Sequence, residues 1–219
     1  MIINNFMIFG DSYSTYEGQI PEGYAPYYAP NGVLPDHPVS KMELDQTWWK
    51  RMIKEDGANL ILNNSWSGST VSYSGYDGDC SKTSSFICRY RKLKESGFFN
   101  SNKIDTVLVF GGTNDSWVPS PLGEIKLSDW DEDDLYKVRP AICYFMSALK
   151  KDLPSARIVF IANCDIKQEI IDCIKLAAKH FCVEVVELSD IDKQCGHPTP
   201  KGMEQICNQV LNYLGQYKY

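Results

Sequence analysis

The sequence predicts an α/β protein, a three-layer α/β/α sandwich built on a five-stranded parallel sheet. Short apolar β-like runs alternate with amphipathic helical patterns along the chain, which indicates parallel strands joined by crossover helices. The runs at residues 106–110 and 157–162 are almost continuously apolar, as expected of strands covered on both faces. We therefore expect helices on both faces and the flavodoxin-like strand order 2-1-3-4-5.

The predicted elements follow one another in a regular order. The strands are residues 5–9, 60–64, 106–110, 157–162 and 183–188. The helices are residues 42–56, 85–96, 133–152, 167–181 and 200–214. Because 219 residues suffice for one large α/β domain and are too few for two, residues 1–219 are expected to form a single domain.

Two long insertions interrupt this pattern, at residues 13–46 and 116–132, and both are rich in Tyr, Pro, Gly and acidic residues. Each follows the carboxyl end of a strand, so both should overhang the same edge of the sheet. Long loops in a compact domain usually carry function. Directly after the first insertion, Trp48 and Trp49 are adjacent on a predicted helix, so at most one of them is expected to face the core fully.

Composition and charge exclude several classes of function. The formal net charge of −6 without a basic block argues against nucleic-acid binding, and no apolar run reaches the roughly 18 residues of a membrane span. Three histidines without metal-site spacing predict neither a metal nor another cofactor. Eight scattered cysteines and the lack of a signal-peptide pattern favour buried free thiols in the cytoplasm, although an already removed leader is left open.

Four segments that follow predicted strands carry the residue types needed for acyl transfer. Parallel strands bring their carboxyl ends to one edge of the sheet, so these segments should converge although they are far apart in sequence. Together they supply a hydroxyl, an imidazole, a side-chain amide and closely approaching backbone amides, which can act as nucleophile, base and oxyanion donors. The central residues of the four segments are Ser12, Gly68, Asn114 and His197.

The four segments resemble the signature blocks of the SGNH (GDSL-type) hydrolase family of esterases and lipases. The matching stretches are Phe9-Gly10-Asp11-Ser12, with Tyr13 where a leucine often stands, then Gly68, Gly112-Thr113-Asn114-Asp115 and His197-Pro198. The resemblance implies the SGNH hydrolase fold, with Ser12 as nucleophile and His197 as general base. It also implies an oxyanion hole formed by the amides of Ser12 and Gly68 and the side chain of Asn114. A histidine base predicts activity that rises with pH through a group near neutrality.

The sequence departs from the family at the residue that should orient the histidine. The family usually carries an aspartate three residues before it, where this chain has Gln194. Asp192 is the favoured substitute, reached if residues 193–196 loop out. Asp190, the side-chain carbonyl of Gln194 and a backbone carbonyl are the alternatives. A neutral carbonyl would fix the imidazole tautomer but supply no counter-charge.

The expected function is hydrolysis of small acyl esters through a Ser-His(-Asp) acyl-enzyme, without a cofactor. Polar rim segments that contain Tyr and Trp favour an acetylated sugar as the small-molecule substrate. A lysophospholipase or thioesterase of the same family is one alternative, and it would need a deep apolar trough. A ligand-binding module that has lost the chemistry is another, and Gln194 is the feature that keeps it open. The sequence does not indicate the oligomeric state.

Overall fold

The main sheet has five strands, and the computed structural model describes residues 3–216 of the chain. The strands are β1 (Asn5–Gly10), β2 (Asn59–Ser65), β3 (Thr106–Phe110), β4 (Arg157–Ala162) and β5 (Glu184–Glu187). All neighbouring pairs are parallel, and the order across the sheet is β2-β1-β3-β4-β5. The predicted fold class and strand order are therefore confirmed.

Seven α-helices accompany the sheet in the described part of the chain. They are α1 (Trp48–Asp56), α2 (Phe86–Glu95), α3 (Phe98–Ser101), α4 (Thr113–Trp117), α5 (Val138–Asp152), α6 (Gln168–Phe181) and α7 (Pro200–Gln216). Two predicted helices begin instead with a separate 3₁₀ turn, at Leu44–Gln46 and Asp133–Tyr136. The backbone is extended at Thr47 and Lys137, which separates each turn from the helix that follows.

Several short elements have no counterpart in the prediction. They are α3, α4, and two small antiparallel hairpins that pair Ser74–Gly75 with Gly78–Asp79 and Lys193–Gln194 with His197–Pro198. Elements of two to five residues are too short to show a hydrophobic period. Two of them, α4 and the second hairpin, carry residues of the predicted site.

The sheet is covered on both faces, and the side chains of β1 show how. Phe6 and Ile8 belong to one buried cluster, which includes residues of α1 and α7. Met7 and Phe9 belong to the other, which includes residues of α2, α5 and α6, and Phe9 packs edge-on against Phe145. Because successive side chains of a strand point to opposite faces, burial of both faces explains why the strands are continuously apolar.

The prediction that only one of Trp48 and Trp49 faces the core is wrong. Both rings are buried, and both indole nitrogens donate hydrogen bonds to Ser14. Trp48 donates to its hydroxyl at 3.2 Å, and Trp49 donates to its carbonyl at 3.0 Å. A helix can bury two adjacent side chains when a second segment covers it, and here the start of the first insertion does so. The insertion thus ties α1 to the segment beside Ser12.

Other sequence-based expectations meet the structure only in part. All eight cysteines are free, but Cys182 and Cys195 are exposed, so the expectation of buried thiols is wrong for these two. Within residues 3–216, no helix is long and apolar enough to cross a membrane. The single domain and the cytoplasmic location stay predictions.

Gly202 lets α7 pack closely against the chain segment that precedes it. A Cβ atom at this position would lie 2.1 Å from the carbonyl oxygen of Asp192, and backbone cannot yield as a flexible side chain can. We expect Gly202→Ala to lower the free energy of unfolding in urea by about 1–3 kcal/mol, the usual effect of overpacking. The exposed neighbour Lys201 is the control, and Lys201→Ala should change it by less than about 0.5 kcal/mol. Equal stability of the two variants would contradict this packing.

Candidate active site

Ser12 lies at the carboxyl end of β1, in a short turn that the sequence builds locally. Asp11 caps the 3₁₀ turn Ser12–Ser14 through its Oδ1, which accepts from the amide of Tyr13 at 3.0 Å. Gly10 allows the turn to pack tightly, since a Cβ there would lie 2.4 Å from the hydroxyl of Ser65. Ser12 is therefore held rigidly at the edge of the sheet, with only 3% of its surface exposed.

His197 reaches Ser12 from the other end of the chain. Its Nε2 lies 3.0 Å from the Oγ of Ser12, a hydrogen-bond distance between residues 185 positions apart. The imidazole is on the hairpin of Lys193–Gln194 and His197–Pro198, and Gln194 and His197 face each other across it. The two residues of the turn, Cys195 and Gly196, both have positive φ, which is typical of a two-residue hairpin turn.

The hairpin decides which group contacts the far side of the imidazole. The Nδ1 of His197 lies 3.1 Å from the carbonyl oxygen of Cys195. A carbonyl only accepts hydrogen bonds, so Nδ1 carries the proton and Nε2 is left as the acceptor for the hydroxyl of Ser12. Of the groups that the sequence left open for orienting His197, the geometry therefore favours a backbone carbonyl.

Asp192 does not occupy the position predicted for it. Its carboxylate accepts from the hydroxyl of Thr199, its amide donates to Gln205 at 2.7 Å, and its carbonyl accepts from the amide of Thr199 at 3.0 Å. The prediction assumed that residues 193–196 loop out and bring Asp192 to His197. They form a tight hairpin instead, so Asp192 anchors the start of α7.

Two tyrosines hold the hairpin that carries His197 in place. The hydroxyl of Tyr13, which replaces the family's usual leucine, donates to the carbonyl of Gly196. The hydroxyl of Tyr28 donates to the carbonyl of Pro198 at 2.9 Å. The segment after β1 therefore supplies both the serine and the groups that position the histidine.

Aromatic rings surround the imidazole of His197, a contact that the sequence did not predict. The ring of Tyr27 lies parallel to it, with centroids 3.6 Å apart and an interplanar angle of 8°. Trp117 approaches edge-on at 5.9 Å and Tyr13 at a tilt at 5.4 Å. Tyr27 and Trp117 come from the two insertions, which were predicted to overhang this edge. Their aromatic content was the available signal.

The candidate oxyanion donors come from the segments after β2 and β3. Gly68 has φ of 76°, and no described residue accepts a hydrogen bond from its amide. Asn114 lies in the first turn of α4, where its Nδ2 donates to the carbonyl of Ser69 at 2.9 Å and its Oδ1 accepts from Tyr76 at 3.2 Å. The structure thus links Asn114 to the segment that carries Gly68.

Arg89 is a further residue that the sequence reasoning missed. Its guanidinium is fully buried and donates from Nη2 to the carbonyl of Gly10 (3.2 Å) and the hydroxyl of Ser69 (3.0 Å). It therefore bridges the segments that carry the nucleophile and the oxyanion donors. Burial lowers its pKa to about 10, which still leaves it charged near neutrality. The signal was a lone charge inside the apolar start of α2.

Two buried aspartates lie beside these segments. Asp115 accepts from the amides of Val71 (2.8 Å) and Ser72 (3.0 Å), and so braces the segment after β2. Burial raises the pKa of Asp11 to about 7, and its Oδ2 has no hydrogen-bond partner among the described residues. Asp11 therefore holds its proton up to near neutral pH.

Burial also controls the protonation of His197. It lowers the pKa of the imidazole to about 4, and the neighbouring His37 and Lys193 act in the same direction. The hydrogen bond to the carbonyl of Cys195 opposes the shift without cancelling it. The expectation of a pKa near neutrality is thus wrong, because the ring is enclosed and has no carboxylate in contact.

No group of three or more His, Cys, Asp or Glu residues that could hold a metal ion occurs within residues 3–216. The groups that do converge are a serine hydroxyl, a neutral imidazole that accepts from it, and amide donors linked to the same edge of the sheet. On a three-layer α/β/α sandwich these groups have the chemistry that acyl transfer requires.

The comparisons with known proteins identify the family. The sequence model of the GDSL-like Lipase/Acylhydrolase family matches residues 4–214, nearly the whole chain. The chain belongs to this family, and it is a carboxylic ester hydrolase. No curated protein matches it.

Solved structures agree with this assignment. The chain is similar to a GDSL-like lipase from Bacteroides ovatus, with 36% identity and a TM-score of 0.88 over 98% of this chain and 99% of that one. It is also similar to one from Bacteroides uniformis, with 39% identity and a TM-score of 0.87 over 98% and 96%. An acetyl xylan esterase from Butyrivibrio proteoclasticus shares the fold, with 20% identity and a TM-score of 0.61 over 98% and 65%.

The contacts of Asp192 predict how its removal affects activity. Asp192→Asn should leave kcat for an aryl acetate within about threefold of the wild type, because the carboxylate contacts Thr199 and not His197. Neutralising a true triad aspartate instead lowers kcat by about 10⁴-fold. Thr199→Val, which removes the other half of the same contact, is the matched control. A loss above a hundredfold confined to Asp192→Asn would restore the predicted triad.

The burial of His197 predicts an acid-shifted pH profile. Because the imidazole is neutral above a pKa of about 4, kcat/KM should be constant from about pH 6 to pH 8 and fall below about pH 4. The contribution of His197 to the free energy of unfolding should decrease as the pH falls from 6.5 towards 4, since at this residue only the unfolded chain takes up a proton there, while the raised pKa of Asp11 acts in the opposite direction. Circular dichroism at each pH separates loss of activity from unfolding. A midpoint at or above pH 6.5 would contradict the burial effect.

Proposed function

We propose that the protein is a serine esterase of small acyl esters, with carbohydrate O-acetyl esters as its substrates. The observation that carries the proposal is the 3.0 Å contact between the Oγ of Ser12 and the Nε2 of His197. It joins a hydroxyl to a neutral nitrogen base at the edge of the sheet where open α/β folds bind their ligands.

Ser12 acts as the nucleophile and His197 as the general base. The Oγ of Ser12 bonds to the ester carbonyl carbon while the Nε2 of His197 takes the hydroxyl proton. The tetrahedral intermediate collapses, the bond to the alcohol oxygen breaks, and His197 returns the proton to that oxygen. Water then attacks the acyl-enzyme by the same route and releases the acid, so the cycle needs no cofactor.

The oxyanion of the tetrahedral intermediate needs hydrogen-bond donors that are already in position. The amides of Ser12 and Gly68 and the Nδ2 of Asn114 are the donors proposed for this role. Two observations support it: Asn114 is fixed by hydrogen bonds to Ser69 and Tyr76, and the amide of Gly68 has no acceptor among the described residues. Loss of one such donor typically lowers kcat by about 10²–10³-fold.

A cavity beside Gly68, with a lining that is part polar and part aromatic, favours a sugar as the alcohol part of the substrate. Its volume is about 380 Å³, and Trp66 and Tyr76 line it together with Asp77 and Asp79. Aromatic faces and carboxylates suit the apolar faces and hydroxyls of a sugar ring. A larger cavity of about 630 Å³, lined by residues between Leu122 and Pro140, includes none of the proposed site residues.

The alternatives have less support. A lysophospholipase or thioesterase would need a long apolar trough, whereas Asp77, Asp79 and Thr83 are among the residues that line the cavity beside Gly68. A binding module that has lost the chemistry has no need for a hydroxyl in contact with an enclosed neutral imidazole. The shared fold of the acetyl xylan esterase is consistent with the proposal, since it shows that this fold can hold such an activity.

A substrate panel tests the proposal. Acetylated xylo- and manno-oligosaccharides should release acetate, and, if small acyl groups are the substrates, aryl acetates should be hydrolysed at least about tenfold faster than eight-carbon aryl esters. A fluorophosphonate should label the wild type, and Ser12→Ala should abolish labelling and hydrolysis.

Each alternative has its own outcome in these measurements. Preference for acyl chains of eight or more carbons would replace the sugar-ester proposal with a lipase or thioesterase. A wild type that neither hydrolyses esters nor reacts with the fluorophosphonate would leave the binding module.

A further inference from the structure

The base of the proposed mechanism lacks a charged partner among the described residues. Its Nδ1 contacts the carbonyl of Cys195, which fixes the tautomer but bears no charge. When His197 takes the proton of Ser12, the resulting imidazolium therefore needs stabilisation from another group. Asp192, the nearest predicted candidate, is bonded to Thr199.

Tyr27 is placed to supply that stabilisation. Its ring lies flat on the imidazole, 3.6 Å between centroids and 8° from parallel, whereas Tyr13 and Trp117 meet the imidazole at 57° and 68°. The face of an aromatic ring carries negative charge density, so it attracts a cation more strongly than a neutral ring. A face-on contact thus favours the protonated imidazole, the form that develops in the transition state.

The ring of Tyr27 is itself held firmly. It is 2% exposed, its amide donates to the hydroxyl of Thr15 at 2.9 Å, and it packs edge-on against Tyr28. At the other end of the side chain, its hydroxyl lies 3.0 Å from the Nδ1 of His37. Because these contacts fix both ends of the side chain, the plane of the ring is set before substrate arrives.

We infer that Tyr27 is a positioning residue for the esterase reaction, which sets the plane of the His197 imidazole and stabilises its protonated form by face-on stacking. In this arrangement the ring and the carbonyl of Cys195 share the work that a single aspartate performs in a Ser-His-Asp triad. The inference rests on the proposed roles of Ser12 and His197.

Two substitutions of Tyr27 distinguish the effect of the ring on kcat from the effect of its hydroxyl. With an aryl acetate as substrate, Tyr27→Leu should lower kcat by roughly five- to thirtyfold and leave KM within about threefold, since the ring acts on the base and not on substrate binding. Tyr27→Phe keeps the face-on ring and should retain at least about a third of the wild-type kcat. Tyr16→Leu is the matched control, a buried tyrosine of the same insertion, and should leave kcat within about threefold.

A series of fluorinated phenylalanines at position 27 tests the charge of the ring face without removing the ring. Each added fluorine withdraws electron density from the face, so log kcat should fall steadily from phenylalanine to 3,4,5-trifluorophenylalanine. This series also decides the question if Tyr27→Leu does not fold. The thermal unfolding midpoint, measured for every variant, separates loss of structure from loss of rate.

The outcomes distinguish this inference from the proposed function. Unchanged kcat across the fluorinated series, or in a folded Tyr27→Leu variant, would overturn the role of Tyr27 while leaving Ser12 and His197 as the catalytic pair. A wild type without Ser12-dependent hydrolysis or labelling would overturn the proposed function and this inference with it.

Discussion

The hydrogen bond between Ser12 and His197 is the constraint on which the arrangement of the site depends. It joins two segments 185 residues apart, at an edge where the carboxyl ends of parallel strands meet. Neither segment is long enough to hold its own position. The sheet holds the turn with Ser12, and the hydroxyls of Tyr13 and Tyr28 hold the hairpin with His197. The same stretch of chain therefore carries the serine and aligns its partner.

The imidazole of His197 is enclosed by aromatic rings and has no carboxylate in contact, which has opposite effects on its two protonation states. Burial keeps the imidazole free of a proton down to a pKa of about 4, so the base is ready over a broad pH range. The same burial makes the imidazolium costly once the proton of Ser12 has moved. In the proposed mechanism the stacked ring of Tyr27 and the carbonyl of Cys195 offset part of that cost. Compared with a Ser-His-Asp triad, such a site lacks the counter-charge of a carboxylate, but its imidazole is deprotonated at almost any physiological pH.

The sequence predicted the fold well because strand and helix patterns of ordinary length carry a clear hydrophobic period. It also predicted the meeting of Ser12 and His197, since parallel topology brings the ends of β1 and β5 to one edge. It failed at Asp192, because a two-residue turn through Cys195 and Gly196 points a backbone carbonyl at the imidazole. Only Gly196 indicated that turn in the sequence. Cys195 also has a positive φ, which is uncommon for a residue other than glycine and could not be expected from the sequence.

Tertiary contacts set the remaining features, and a local pattern does not reveal these. Trp49 is buried because the first insertion folds over α1, and Tyr27 stacks on His197 because the same insertion crosses the edge of the sheet. Arg89 was missed because its guanidinium could be matched to the carbonyl of Gly10 only once β1 and α2 were placed together.

If Ser12, His197 and the amide donors act on one carbonyl, a crystal structure of the fluorophosphonate-inhibited protein should show it. Phosphorus should be bonded to the Oγ of Ser12, with one phosphoryl oxygen about 3 Å from the amide of Gly68 and the Nδ2 of Asn114. The Nδ1 of His197 should still face the carbonyl of Cys195. A phosphoryl oxygen directed away from both donors, or an imidazole turned away from Ser12, would show that these groups do not act on one carbonyl.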